Sequence, residues 1–219
     1  MITSRRVFLT NTTVPDPKSE YVRHFCRTLN SAARPVIISI QPQEECEALD
    51  CFNNVRRLVQ RRGGRIQYGW AIWEWARVFI EAEHHAVFDP GNGDPWLDVT
   101  PPNDWETARL FLPDDAATYD FENEGIRRDN VRQALSNDPD IRAFFEVAEA
   151  IASIMNSIPG VGEVKISIQL AREIQRLEMT KARLISQIGM KHTGRNDLCF
   201  CRSGLKFKKC HGSPSGPPS

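Results

Sequence analysis

Near the carboxyl end, Cys199 and Cys201 stand one residue apart, and after eight intervening residues Cys210 and His211 stand side by side. Three thiols and an imidazole in two tight pairs suit a closed tetrahedral zinc site, with sulfur at roughly 2.3 Å and nitrogen at about 2.0 Å from the ion. Ligands adjacent in sequence are gathered at little entropic cost, and the Ser203-Gly204 turn lets the two pairs meet. The stretch has few apolar side chains (Leu198, Phe200, Leu205, Phe207), too few for a core of its own. Metal binding would then supply the folding free energy, roughly 10 kcal/mol or more for peptides of this kind. With four protein ligands no coordination position is left for a substrate, so the ion is expected to be structural.

The run Gly194-Arg195-Asn196-Asp197, both ligand pairs, Ser203-Gly204, Phe207-Lys208-Lys209 and Gly212 together resemble the SEC-C motif. That motif closes the SecA translocase ATPase and is appended to many other bacterial proteins. The chain departs from the pattern at Leu198 and Phe200, where the motif has prolines, and at Arg202 and Leu205. The resemblance implies one zinc ion per chain on Cys199, Cys201, Cys210 and His211. It also implies docking on a protein partner or the ribosome, with Arg195, Arg202, Lys206, Lys208 and Lys209 supplying positive charge.

A sparser set lies upstream. Cys51 falls in the first turns of a helix expected over 45–62, His85 on a strand, and Asp98 on the next strand past the turn Gly91-Asn92-Gly93-Asp94. A helix N-terminus stabilises a thiolate, a histidine beside it takes the thiol proton, and an aspartate fixes the imidazole tautomer. Cys51-Phe52, His85-Ala86-Val87-Phe88 and Trp96-Leu97-Asp98-Val99-Thr100-Pro101 resemble the transglutaminase-like and papain-like core over 36–102. That likeness implies a cysteine amidohydrolase or acyltransferase, with Gln41 or Gln43 helping to hold the oxyanion. The same residues also read as a buried cysteine, a structural histidine and a capping aspartate. A second metal site from Cys46, Cys51, His84 and His85 lacks paired spacing, and adjacent histidines on a strand point to opposite faces. Trp70, Trp73, Trp75 and Trp96 read as a core or as a stacking platform. Glu81 and Glu83 share a face with His85, as a solvated edge or as acid/base groups. Arg56, Arg57, Arg61 and Arg62 form an outer face of the helix.

Formal net charge is zero, so no molecule-wide positive field draws the chain to nucleic acid. The charge is uneven, however. Residues 81–124 carry twelve acids against one base, Arg109, a net of −11, whereas 191–211 carry six bases against one acid, a net of +5. No apolar run is long enough to span a bilayer. Three of the six cysteines belong to the zinc pattern, so a disulfide-stapled scaffold is not indicated and a reducing cytoplasm is expected.

The periodicities predict an α+β fold with an N-terminal antiparallel sheet and packed helices, a helical extension and a C-terminal zinc knuckle. A short strand is expected at 7–9, a helix over 19–33, a buried strand over 36–40 and strand character over 65–75. Residues 76–88 and 96–99 are expected to pair as a hairpin, and 100–125 to run as acidic loop. Helices are predicted over 140–157 and 163–188, the second amphipathic and able to pack inward or to face a partner. The expected boundaries are 1–125, 126–190, 194–212 and a disordered tail over 213–219.

Overall fold

The computed structural model describes residues 12–102, 106–122, 128–158 and 165–214. The strand expected at 7–9 and most of the expected tail lie outside these residues. Helix α1 spans Glu20–Leu29, strand β1 Val36–Ile40, helix α2 Cys51–Arg62 and strands β2 and β3 Arg65–Trp75 and Phe79–Asp89. Then come β4 (Leu97–Asp98), β5 (Ala108–Pro113), β6 (Val131–Ala134), α3 (Pro139–Ser157) and α4 (Ile168–His192). A 3-10 turn at Phe207–Lys209 lies inside the knuckle. The mixed α+β architecture read from the sequence is therefore present.

The sheet runs β2-β5-β1-β4-β3-β6, and an additional β2–β3 pairing closes the first five strands into a ring. All pairs are antiparallel except β1 with β4. The expected antiparallel pairing of 76–88 with 96–99 is present at one residue pair, but it is not the main hairpin. Instead β2 and β3 pair from Arg65 opposite Asp89 to Trp75 opposite Phe79. The turn at 76–78 places Arg77 at φ 68°. β4 meets β3 only at Leu97 opposite Phe88 and runs parallel beside Ser39 and Ile40 of β1. The physical reason is reach. The long strand from Arg65 offers β3 eleven partners, whereas β4 has two residues to offer.

One face of the sheet is apolar and covered by helices. Val22, Phe25 and Cys26 of α1 pack on Trp70, Ile72, Ile80, Ala82, Leu110 and Leu112. Val55 and Leu58 of α2 pack on Ala86, Phe88 and Val99. The period-two alternation of strands sends Ile38, Val87 and Phe111 to the opposite face, with Trp96 against them. α2 starts at Cys51 rather than near Glu45 and stops at Gly63, whose φ of 74° suits glycine. The final helix turns its apolar stripe inward. Leu184, Ile185 and Ile188 of α4 pack with Ile141 and Phe144 of α3 and with Trp75, Val78 and Phe79 at the β2–β3 turn.

Candidate functional site

The four residues expected to hold a metal in the knuckle converge. Their donor atoms all lie within 4.8 Å of one another, with Cys199 Sγ 3.3 Å from His211 Nδ1, Cys210 Sγ 3.4 Å from the same nitrogen, and Cys201 Sγ 3.5 Å from Cys210 Sγ. A tetrahedron with bonds of about 2.0 and 2.3 Å has edges of roughly 3.5 to 3.8 Å, so these donors are spaced for one small divalent ion. Among the described residues this is the one group of three or more such side chains that converges. Cys46, Cys51, His84 and His85 form no such group.

Local backbone geometry builds this site. Leu198 bridges Lys206, and Cys199 N–H donates to Leu205 O at 2.8 Å, which folds the loop back on itself. Arg202 stands at φ 59° where the SEC-C pattern has glycine, so an ordinary side chain carries a left-handed conformation there. Burial opposes a Cys201 thiolate, but Ser203 and the neighbouring thiols outweigh it through hydrogen bonds and bring the thiol down to about 6. A ligand already prepared to lose its proton suits metal binding.

The knuckle is not a free appendage. Cys199, Phe200 and Cys210 belong to the same buried cluster as Trp75, Phe79, Phe144 and Ile188. Phe200 lies so close to α4 that a Cβ on Gly189 would sit 2.3 Å from its ring. Arg77 of the β2–β3 turn pairs with Asp197, and its guanidinium also donates to His192 O at 3.2 Å. Asp138 caps α3 through the Asp140 amide and also receives Lys191 and His192 from the end of α4. Leu198, Leu205, Lys206 and Lys209 remain on the exposed side of the knuckle.

The second set is assembled from distant parts of the sequence. Cys51 is the first residue of α2. The preceding Asp50 turns its carboxylate to Asn53 and Arg57 and makes no cap bond to the first-turn amides beside the thiol. Leu49, at φ 67°, turns the chain into this helix. His85 Nε2 donates to Asp98 Oδ2 at 2.8 Å, and the Cys51 side chain interacts electrostatically with the same ring. Asp98 is fully buried, its Oδ1 taking the Thr100 N–H at 2.9 Å. Burial disfavours a charged His85 ring, yet the Asp98 carboxylate and then the Cys51 thiol outweigh it and push the imidazole up to about 10. Burial likewise opposes the Asp98 carboxylate, and His85 with Arg109 overcomes it, holding Asp98 below the usual carboxylate range.

Around this centre the other sequence candidates take structural parts. Asn54, on α2, ties Glu47 N and O to Thr100 Oγ1 and so pins the loop before the helix to the strand end carrying Asp98. His84 faces the other way. Its Nε2 donates to Ala117 O at 2.6 Å, and burial pulls its affinity for a proton down. Glu81 is engaged by Arg132 and Asn130. The Gln43 side-chain amide donates to the Gln41 backbone carbonyl, and its oxygen accepts from Arg62, so these bonds tie Gln43 to its own loop and to the far end of α2. Trp70 is buried with its indole N–H on Asp114, a core tryptophan. On the outer face of α2, Arg61 pairs with Glu45, and Arg56 lies over the Phe121 ring. Phe52 stacks on Tyr119 with ring centroids 4.1 Å apart, which folds the acidic loop against the start of α2. Sequence reasoning missed Arg109, on β5, whose Nη1 lies 3.0 Å from His85 Nε2 and also donates to Asp98. The only signal was that it is the lone base in the acidic middle of the chain.

Comparison with known proteins concerns the C-terminal stretch. The SEC-C motif family model matches residues 195–213, so the chain carries a SEC-C motif. A protein translocase subunit SecA from Nocardioides sp. is 71% identical over 24 residues, which cover 11% of this chain and 3% of that protein. The likeness is thus one of a small module and does not extend to the whole translocase subunit. No solved structure matches the chain. No helix among the described residues is long and apolar enough to cross a membrane.

Proposed function

We propose that the chain is a thiol-dependent acyl hydrolase or acyltransferase of transglutaminase-like type, carried on a body braced by a zinc-bearing SEC-C knuckle. The observation that carries this reading is the buried His85 ring, held by Asp98 on one side and engaged by Cys51 on the other. In this chemistry the Cys51 thiol gives its proton to His85, and the sulfur attacks an amide or ester carbonyl carbon. The carbonyl oxygen takes up negative charge beside the uncapped first-turn amides of α2. As the C–N or C–O bond breaks, His85 returns the proton to the leaving amine or alcohol. Water or an acceptor amine, deprotonated by His85, then attacks the thioester carbon and regenerates the thiol. Asp98 stays ionised and holds the ring in one orientation.

The test is selective alkylation. Iodoacetamide should modify Cys51 below about pH 7 faster than Cys26, whose thiol burial pushes up to about 11, and faster than Cys46. Substituting His85→Ala should remove the difference. Equal, slow labelling of the three thiols would refute the reading.

In the knuckle, Cys199, Cys201, Cys210 and His211 would hold zinc, which with four protein ligands supplies folding free energy rather than catalysis. A docking role is supported by the exposed Leu198 and Leu205 beside Lys206 and Lys209, a face suited to an acidic protein partner or to the ribosome. Cytoplasmic residence fits the free cysteines. Charge reversal at Lys206 and Lys209 should abolish partner capture while leaving metal content intact, and capture that survives it would rule out this face.

A further inference from the structure

Arg109 is 7% exposed, yet its Nε has no hydrogen-bond partner. Its guanidinium lies over the Trp73 ring, 5.4 Å from the centroid. Arg109 pairs with Ile38 of β1, and Ile40, two residues on, pairs with Asp98 of β4, so Arg109 and Asp98 face the same side of the sheet. Asp98 Oδ2 therefore receives two donors, His85 Nε2 and Arg109 Nη1.

A buried carboxylate requires a compensating positive charge. With His85 as the sole partner, neutrality would demand an imidazolium and leave Cys51 as a thiol, two protons on the pair. Arg109 already meets the Asp98 charge. The four groups then sum to zero with one proton on the pair, whether it sits on sulfur or on the ring. We propose that Arg109 is a positioning residue that neutralises Asp98 and so holds the Cys51–His85 pair at one shared proton instead of two. This rests on the acyl-transfer reading of the site. The groups facing His85 are Cys51 from α2, Asp98 from β4 and Arg109 from β5. On its own strand stand Glu83, two residues back on the same face, and His84, on the opposite face. β2 presents only Gly69 at that level.

The experiment uses the full, metal-loaded chain as wild type, Arg109→Met, Arg109→Gln and Arg109→Lys. Nitrogen-15 NMR follows the His85 ring against pH, and mass spectrometry follows Cys51 alkylation by iodoacetamide, an uncharged reagent. Removing the charge should raise both the His85 deprotonation midpoint and the onset of Cys51 alkylation by about 1 to 3 pH units. Lysine should restore most of the wild-type position. A folded Met or Gln variant with an unmoved His85 midpoint overturns the proposal, as does a Lys variant that behaves like Met. If Met does not fold, the Gln and Lys pair decides, because Gln keeps donors without charge and Lys keeps charge without the planar fork. Should wild-type Cys51 react no faster than Cys26 and Cys46, the acyl-transfer reading fails, while the His85 midpoints still decide the part played by Arg109.

Discussion

The knuckle and the thiol centre both rest on cysteine and histidine, yet they are built in opposite ways. The knuckle draws its ligands from thirteen consecutive residues, and its backbone folds around them with short turns and one bridge. The thiol centre draws Cys51 from a helix start, His85 from the middle of a long strand, and Asp98 and Arg109 from two further strands. In the first case the metal would gather the ligands, so removing the metal removes the order. In the second the strand register gathers the side chains, and burial makes their charges matter. The two should therefore fail independently, one to chelation and the other to loss of a single buried group.

The widest separation is expected from metal removal. Chelation, or Cys210→Ser, forfeits roughly 10 kcal/mol of metal-binding free energy. It should release Phe200 from Gly189 and lower the melting temperature, while selective alkylation of Cys51 persists. Loss of Cys51 reactivity along with the metal would show that the two regions are one unit. Phe200→Ala sharpens the same contrast by emptying the packed position without touching a ligand. It should cost about 3 kcal/mol in chemical unfolding and leave metal stoichiometry at one per chain.

His85→Ala works from the other side. It should slow Cys51 alkylation near pH 7 by about 100-fold, some 2.7 kcal/mol at 1.36 kcal/mol per decade, with metal content unchanged. Arg202→Gly should stabilise the knuckle by about 1 kcal/mol, because glycine accepts the left-handed conformation that the arginine strains to hold. Differential scanning calorimetry of the metal-bound chain reads that gain.

The smallest effect concerns the α3–α4 junction against which the knuckle packs. Asp138 is held down at about 2 by the Asp140 amide, with His192 and Lys191 adding to it. A depressed carboxylate contributes stability above its unfolded value, and that stability is lost as pH falls through the folded one. Acid titration from about pH 4 toward 2 should therefore loosen the α3–α4 junction, and Asp138→Asn should flatten that part of the stability curve.

The ligand set of the knuckle was legible because coordination chemistry needs particular residue types at short spacings, and both are local properties. Cys51, His85 and Asp98 could be nominated from residue type and expected elements, but their meeting depended on several strand pairings of which the local pattern supplied one. The Gly91-Asn92-Gly93-Asp94 turn pointed to the antiparallel meeting of β3 and β4, which the structure has at Phe88 and Leu97, but not to β2 as the eleven-residue partner of β3 or to β1 as the parallel neighbour of β4. Arg109 stood out only as the lone base among the acids of 81–124, which does not say what it touches.

Residue order alone was enough for the ligand candidates near the carboxyl end, the α+β class and the amphipathic stripe of the last helix, since each follows from spacing along a few turns of chain. The folded chain was needed to turn that stripe inward, to pack the knuckle into the core through Phe200 and to set Arg109 against His85 and Asp98. All three depend on which distant surfaces compete successfully for the same contact, a choice made by strand length, register and burial across the whole fold.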